Sequence, residues 1–377
     1  MNPLVVGLPE RLRNRLQGFA QPWEVACFIW IPTLVVGFTG WYELHNRATL
    51  GDFPIFRAAS KAVLHGNSPY IVPSPNALAK FDTFVYPPAA AFVFSPFALV
   101  PYSAAKVLML VLSFASVFIA LRLLGVRDWR CYGVAAVSMP VVSSVALGAF
   151  SSFLLLGTAA TWRYRDRQAA AGVLGALTAT CKLFLWPLGV WLVVTKRFRA
   201  FVLFVFAAVL LVVGGWAAIG FAGLRSYPHL LHLLTDLEAH KSFSIVALLR
   251  LSGSASTALS ALLAAALVVA VAAAARSSGG DRRAFAVAVV GTLAATPVVW
   301  MHYYALLFVP IALYRPRLSA LWAVPLVLWL APSTYSEGVT WRILLGLGAV
   351  AMVCGCVMGI ERPRFSSRRL TRALAEK

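Results

Sequence analysis

The sequence is poor in charged side chains, and this scarcity is the first guide to its class. Asp, Glu, Lys and Arg make up 12% of the 377 residues, whereas hydrophobic residues make up 60%. Soluble globular proteins carry about 25% charged residues, so the composition excludes an ordinary soluble domain. Because an apolar run of roughly 20 residues crosses a bilayer, a chain of this length and composition predicts about a dozen membrane spans.

The chain also lacks the usual signatures of metal, nucleotide and disulfide chemistry. No Asp-x-Asp pair for a divalent metal occurs in the predicted outer loops, and no P-loop or Rossmann glycine pattern occurs anywhere. The 5 cysteines follow neither a zinc-site spacing nor a disulfide pattern. We therefore expect no metal, no cofactor and no soluble nucleotide donor, and we expect the cysteines to serve in packing.

Basic residues outnumber acidic residues by 33 to 13, and their placement indicates membrane topology rather than nucleic-acid binding. They cluster in short gaps between apolar runs, where the positive-inside rule places them in the cytoplasm. The clusters are Arg11–Arg15, Arg122–Arg130, Arg163–Arg167, Lys196–Arg199, Arg276–Arg283, Arg315–Arg317 and Arg362–Lys377. This topology accounts for the net charge of +20, so no nucleic-acid partner is predicted.

Keeping every basic cluster inside gives an even number of spans and two cytoplasmic termini. The predicted spans are 25–42, 102–121, 132–147, 150–161, 168–181, 183–195, 200–221, 254–275, 284–300, 303–314, 318–331 and 341–360. No small-residue cleavage site follows the first span, so we predict a retained signal anchor. The proline-rich stretch 86–101 is interpreted as a re-entrant or interfacial segment. The predicted fold class is an all-α integral membrane protein of the plasma membrane. It forms one domain over 1–377, with residues 1–24 and the tail 361–377 in the cytoplasm.

The longest polar interval, residues 52–88, lies in the first predicted extracytoplasmic loop, residues 43–101. Asp52 is placed to cap a helix, Pro54 suits the first turn, and Gly66 with Asn67 provides a stop. We predict a short helix that lies in the membrane interface. Its apolar side would carry Phe53, Phe56, Ser60, Val63 and Leu64, and its basic side Arg57 and Lys61.

Few outer residues could perform chemistry, and each has a structural alternative. Asp52 either serves as a base whose pKa is raised by desolvation, or only caps its helix. Lys182, alone in an apolar interval, either binds an anion or extends its ammonium to the interface. His302, in an aromatic turn, either faces a substrate or belongs to an aromatic belt. Arg57 and Arg250 add positive charge that suits a phosphate, or contact lipid headgroups.

Carboxylates other than Asp52 are few on the predicted outer side. They are Glu43, Asp82, Asp236, Glu238 and Glu337. If Asp52 only caps its helix, the candidate bases are Asp82, Asp236 and Glu238. The outer loops that carry all these groups come from remote parts of the chain, and we predict that they converge on one side.

Several short motifs follow one another in a fixed order along the chain. An acidic residue follows the first span, Gly-Asn-Ser-Pro-Tyr occupies 66–70 and Tyr-Pro-Pro occupies 86–88. A lone outer lysine, Lys182, precedes Pro187, and Pro-x-x-Trp-x-His occupies 297–302. This order resembles glycosyltransferase family 87, whose members are membrane enzymes of the GT-C structural class. The resemblance covers nearly the whole chain, and the order of the motifs is more specific than any one of them.

The resemblance implies a glycosyltransferase that uses a polyprenyl-phosphate sugar and inverts the anomeric carbon. The sugar is usually mannose and in some members arabinofuranose, and the acceptor is a glycolipid or glycan. Asp52 matches the catalytic base, and Lys182 and His302 match positions near the donor phosphate and sugar. Tyr70 and Tyr86 come from the two tyrosine motifs and are predicted to bind substrate, together with Arg57 and Arg250.

Two segments depart from the family pattern. Gly148-Ala149-Phe150-Ser151 stands where the family often has Gly-Gln and then Asn, and Lys241-Ser242 stands where it often has Asn-x-Ser. We expect these changes to bear on donor and acceptor identity. Two other classes stay open, a flippase of lipid-linked saccharides and a non-catalytic membrane partner. A flippase would predict ionisable groups at the membrane midplane and repeated halves, and neither is evident in the sequence.

Overall fold

The computed structural model describes residues 21–45, 51–70 and 83–359. Within these ranges the secondary structure is helical and no strand is found. Most of the predicted cytoplasmic N-terminus, the candidate acid Asp82 and the basic tail 361–377 lie outside the described residues.

The helices follow one another with short connections. In chain order they are α1 (Pro22–His45, with a π turn at Ala26–Trp30), α2 (Phe53–Leu64), α3 (Pro88–Val93), α4 (Ser95–Ala98), α5 (Tyr102–Leu123), α6 (Trp129–Val137), α7 (Met139–Leu147), α8 (Ser151–Arg163), α9 (Gln168–Cys181), α10 (Pro187–Val194), α11 (Phe198–Ala218), α12 (Tyr227–Glu238), α13 (Ile245–Leu248), α14 (Gly253–Ala275), α15 (Gly280–Ala295), α16 (Phe308–Tyr314), α17 (Val324–Val327) and α18 (Thr340–Gly359). Short 3₁₀ turns cover Leu183–Leu185, Ala239–Lys241, Met301–Leu307, Ala320–Ala323 and Leu328–Leu330.

The long apolar helices agree with a membrane protein, but the predicted number of spans is not reproduced. In the described part of the chain, 5 helices are long and apolar enough to cross a bilayer, namely α1, α5, α11, α14 and α18. The pair α6 and α7 gives a sixth if it is counted as one span bent by 58°. The bend falls at Ser138, which has an extended backbone, and Pro140 follows in the first turn of α7. A helix as short as α9, with 14 residues, reaches about 21 Å, less than the roughly 30 Å of a hydrocarbon core.

The polar loop after α1 forms the predicted short helix α2. Asp52 stands at its N-cap, and the chain leaves it at Gly66 with φ 71°. Phe53, Phe56, Ser60 and Val63 are buried, whereas Leu64, which the sequence grouped with them on the apolar side, is 44% exposed. The buried side packs on α3 and α4, where the Phe56 and Phe94 ring centroids lie 4.9 Å apart. The placement of α2 in the membrane interface stays a prediction.

The basic gaps between helices gather at one end of the bundle. Asp281 accepts hydrogen bonds from Arg197 at 2.6 and 2.9 Å and forms an ion pair with Arg165 at 3.3 Å. The guanidinium carbon of Arg282 lies 4.6 Å from the Tyr314 ring centroid. Tyr314 ends α16 directly before Arg315 and Arg317, so this basic gap lies at the same end of the bundle. The shared end fits the charge pattern of the sequence, while the side of the membrane that it faces stays a prediction.

At the other end of α9 and α15, backbone hydrogen bonds join chain segments that are distant in sequence. The Phe243 amide donates to the Val299 carbonyl at 2.8 Å, and the Met301 amide donates to the Thr334 carbonyl at 3.2 Å. The Ser336 amide donates to the Lys241 carbonyl at 2.8 Å. These bonds fix the loops that surround the candidate site.

Candidate active site

A cavity of about 330 Å³ opens where these loops meet. Its wall receives side chains from the loop after α1, from the α9–α10 connection, from α12 and from the segments near residues 300 and 335. These remote segments therefore converge as predicted, while the side of the membrane that they face stays a prediction. Much of the wall is apolar, and the ionisable groups on it are few enough to be considered one by one.

Asp52 contributes a carboxylate that its own helix does not use. Its side chain makes no capping hydrogen bond, although it occupies the N-cap position of α2. The Asp52 amide donates to the Leu147 carbonyl at 2.9 Å, which anchors the residue to the end of α7. Within the described ranges the carboxylate has no ion-pair partner, and it lines the cavity. Burial raises the pKa of Asp52 to about 6, and the positive charge of Lys182 opposes this shift.

Lys182 lies in the connection after α9 and does not extend towards a lipid interface. The residue is 7% exposed and lines the cavity. Its Nζ donates to Tyr86 Oη at 3.2 Å and lies 3.8 Å from the Tyr303 ring centroid. Aromatic rings stabilise a nearby ammonium through their quadrupole. Burial lowers the pKa of Lys182 to about 7, and the negative charge of Asp52 opposes this shift.

His302 lies on the 3₁₀ turn Met301–Leu307 and faces the same cavity. It is 2% exposed, and neither ring nitrogen has a hydrogen-bond partner in the part of the chain that the structure describes. Its ring centroid lies 4.7 Å from that of Tyr303, which is also buried. The turn is therefore not an aromatic belt facing lipid. Both imidazole nitrogens are therefore buried without a hydrogen-bond partner among the described residues.

The other sequence-predicted residues are distributed differently. Tyr86 lines the cavity, whereas Tyr70 stands behind it and donates its hydroxyl to the Tyr86 carbonyl at 2.6 Å. Arg57 donates to the carbonyls of residues 97 and 100 at 3.1 and 2.8 Å, which joins α2 to the segment after α4. Arg250 is exposed after α13, with φ 52°. The structure places Tyr70, Arg57 and Arg250 outside the cavity wall.

Sequence reasoning did not place Tyr303, Trp300 and Tyr335 in the site, and it named Glu238 only as an alternative base. Tyr303 covers the ammonium of Lys182, and Trp300 and Tyr335 form an edge-to-face pair with centroids 5.0 Å apart. Glu238 is 1% exposed and lies on the wall. Its signal in the sequence was a helical spacing, because Tyr227, Leu231, Leu234 and Glu238 all face the cavity from α12.

The segments that depart from the family pattern lie beside this site. Gly148 ends α7 with φ 61° directly after Leu147, whose carbonyl holds Asp52. Phe150 packs on Phe56 of α2 with ring centroids 5.3 Å apart. The Gly148–Ser151 departure therefore lies beside Asp52 and α2, whereas Lys241 of the second departure donates to Glu238 Oε1 at 3.1 Å. Among the described residues no group of 3 or more His, Cys, Asp and Glu side chains could hold a metal ion.

The fold and the cavity together define an α-helical membrane protein with an acid, a lysine and a histidine enclosed in one site. The profile of glycosyltransferase family 87 matches residues 84–300, which is more than half of the chain. The chain belongs to this family, and the protein is a membrane glycosyltransferase. Tyr86, Lys182 and Glu238 fall within the matched range, whereas Asp52 and His302 lie outside it. No curated protein and no solved structure matches the chain.

Proposed function

We propose that the protein transfers a hexose, most simply mannose, from a polyprenyl-phosphate donor to a lipid or glycan acceptor. The reaction takes place on the extracytoplasmic face of the plasma membrane and inverts the anomeric carbon. The observation that supports it most is the pair formed by Asp52, whose carboxylate has no partner in the described structure, and the enclosed cation Lys182 in the same cavity.

Asp52 serves as the general base. It takes the proton from an acceptor hydroxyl as that oxygen attacks C1 of the donor sugar. The raised pKa of Asp52 makes its carboxylate a stronger base than an exposed aspartate while leaving it largely ionised near neutral pH. As the new glycosidic bond forms, the bond between C1 and the phosphate oxygen breaks, so a β-linked donor gives an α-linked product.

Lys182 stabilises the departing polyprenyl phosphate. The ammonium is held by Tyr86 and Tyr303 before substrate arrives, so little reorganisation is needed when negative charge develops on the leaving oxygen. His302 has free ring nitrogens and serves as a hydrogen-bond partner of the phosphate or sugar. Phosphate is already a competent leaving group, so this mechanism uses the charge of Lys182 and assigns no step to a metal.

The test is transfer of labelled mannose from polyprenyl-phosphate mannose by the purified protein in lipid nanodiscs, with EDTA present. The acceptors are a panel of glycolipids and oligosaccharides, and a polyprenyl-phosphate arabinofuranose donor runs in parallel. We expect the wild type to transfer mannose and Asp52→Asn to lose about 10²–10⁴-fold in rate, the usual contribution of a general base. Asp236→Asn is the matched control, because Asp236 is bound to His232 at 3.0 Å and lies off the cavity wall.

The outcomes separate the competing functions. Transfer of arabinofuranose alone would replace the proposed donor, and full activity of folded Asp52→Asn would remove the proposed base. Movement of the lipid-linked sugar across the bilayer without transfer to any acceptor would make the protein a flippase. A product that keeps the donor's anomeric configuration would overturn the inverting mechanism.

A further inference from the structure

We propose that Glu238 is a sugar-binding residue that accepts a hydrogen bond from a hydroxyl of the donor or acceptor sugar and contributes to sugar selectivity. This inference rests on the proposed function and adds a second polar subsite to its cavity. Glu238 has no role in the proton transfer or the leaving-group chemistry described above.

The two carboxylate oxygens of Glu238 have different surroundings. Oε1 accepts a hydrogen bond from Lys241 Nζ at 3.1 Å. Oε2 is buried and has no hydrogen-bond partner among the described residues. The residue is 1% exposed and belongs to the cavity wall. An acceptor oxygen is therefore left for a molecule that occupies the cavity.

The pair with Lys241 does not by itself explain why Glu238 is buried. The Lys241 side chain is 46% exposed, and exposed partners add little to the stability of an ion pair. A buried carboxylate oxygen without a hydrogen bond is unfavourable, and this cost is relieved when a ligand donates a proton to it. Binding sites commonly retain such groups because they fix the orientation and identity of the ligand.

The charge of Glu238 indicates which part of the substrate it meets. A carboxylate repels a phosphate, so Glu238 suits a neutral hydroxyl donor, whereas Lys182 suits the phosphate. Trp300 and Tyr335 also line the cavity and offer aromatic surface to an apolar sugar face. Asp52, Glu238 and Tyr335 line the same cavity. Burial raises the pKa of Tyr335, and the negative charges of Asp52 and Glu238 raise it further.

Direct binding measurements separate this role from catalysis. Affinities for polyprenyl-phosphate mannose and for sugar-free polyprenyl phosphate are measured in nanodiscs for the wild type, Glu238→Gln, Glu238→Asp and Asp236→Asn. If the donor sugar is the partner, Glu238→Gln should weaken binding of the mannose-bearing lipid by about 10- to 100-fold, the value of a hydrogen bond to a charged group. Binding of the sugar-free lipid should be unchanged, and Glu238→Asp should show a smaller loss.

If the acceptor supplies the hydroxyl, both lipid affinities stay unchanged. The acceptor KM should then rise about 10- to 100-fold in Glu238→Gln while kcat is retained. Competition between mannose and glucose donors, or between matched acceptor epimers, should also become less selective. Asp236→Asn removes the same charge from the same helix and should alter neither measurement, since its carboxylate lies off the cavity wall.

Equal weakening of both lipids, or a lower melting temperature with unchanged sugar selectivity, would assign Glu238 a structural role and overturn the inference. Unchanged donor affinity together with unchanged acceptor KM would also overturn it. A wild type that binds neither lipid would instead reject the proposed function. The two failures are distinguishable, because binding of the donor requires no turnover.

Discussion

Lys182 and Tyr86 are joined side chain to side chain, with 3.2 Å between the ammonium Nζ and the phenolic Oη. The carbonyl of Tyr86 in turn accepts the Tyr70 hydroxyl at 2.6 Å. Tyr70 therefore fixes the backbone of Tyr86, and the Tyr86 side chain contacts Lys182. We infer that Tyr86 positions the cation that is proposed to bind the donor phosphate.

Replacement of Tyr86 by Phe tests this positioning. The ring remains for packing, but the Lys182 ammonium loses its hydrogen-bond acceptor, so we expect donor affinity to fall by about 2- to 10-fold. The measurement is binding of polyprenyl-phosphate mannose beside a thermal melt. Tyr227→Phe is the control, because that hydroxyl donates to the Val85 carbonyl at 3.1 Å and makes no hydrogen bond to the lysine. Equal effects in the two variants would show that loop packing, and not the lysine, responds.

Replacement of Lys182 by Met tests the leaving-group role. The methionine fills most of the space between Tyr86 and Tyr303 but supplies no charge, so we expect a loss of at least about 10²-fold in kcat. Single-turnover transfer measures the chemical step directly. The control is Lys106→Met, which removes another buried lysine whose Nζ donates to the Leu44 carbonyl at 3.3 Å, away from the cavity. Retention of kcat by Lys182→Met would show that Lys182 does not stabilise the leaving phosphate.

The pH dependence of kcat/KM should reflect the displaced pKa values of Asp52 and Lys182. A base must be deprotonated, so activity is lost as pH falls through about 6, well above the ordinary value of 3.8 for an aspartate. A phosphate-binding lysine must be protonated, so activity is also lost as pH rises through about 7 in the free enzyme. Bound phosphate favours the charged lysine and should move the alkaline limb of the kcat profile to higher pH.

The measurement is initial rate against pH at low and at saturating donor concentration, for the wild type and for the residual activity of Asp52→Asn. An acid limb near 4, the value of an exposed aspartate, would contradict the desolvated position of Asp52. An acid limb near 6 that persists in Asp52→Asn would show that Asp52 is not the group that causes it.

The charged group at the opposite end of the bundle should contribute to stability alone. Asp281 accepts from Arg197 at 2.6 Å and from the Trp191 indole at 2.9 Å, so Asp281→Asn leaves these donors poorly paired. We expect a cost of about 1–3 kcal/mol, seen as a lower melting temperature with normal donor affinity. Asp166→Asn is the matched control, since its carboxylate is 77% exposed and lies 3.9 Å from Arg165. Equal destabilisation of both variants would show that the hydrogen bonds of Asp281 add no more to stability than the exposed contacts of Asp166.

Local sequence rules predicted α2 well because its ends are chemically marked. Asp52, Pro54 and Gly66 all act within a few residues, and the observed helix begins and ends beside them. The same rules could not tell whether the Asp52 side chain caps the helix, since that depends on the cavity formed by distant segments. The exposure of Leu64 was missed for a related reason, because it depends on how the end of α2 is placed against α3 and α4.

Hydrophobicity and charge located the loops better than they counted the spans. Short apolar helices such as α9 and α10 share the composition of true spans, and composition alone cannot measure their length against a bilayer. Arg57 and Arg250 were assigned to the site from their charge, but the observed partners of Arg57 are backbone carbonyls of its own loop. Glu238 is the opposite case, because it lies on the cavity wall although its charge did not assign it to substrate binding. Its position depends on how α12 is rotated against the other segments, which local sequence does not determine.

Two backbone hydrogen bonds fix the part of the cavity wall that contains Trp300 and Thr334. The Phe243 amide donates to the Val299 carbonyl, and the Met301 amide donates to the Thr334 carbonyl, so no side chain takes part. A wall built in this way keeps its shape when the side chains on it are exchanged. If Asp52 and Lys182 act as proposed, substitutions at positions such as Trp300 or Glu238 can change the sugar preference while the distance between base and cation is preserved. Under the proposed function, substrate choice and reaction chemistry are then separable properties.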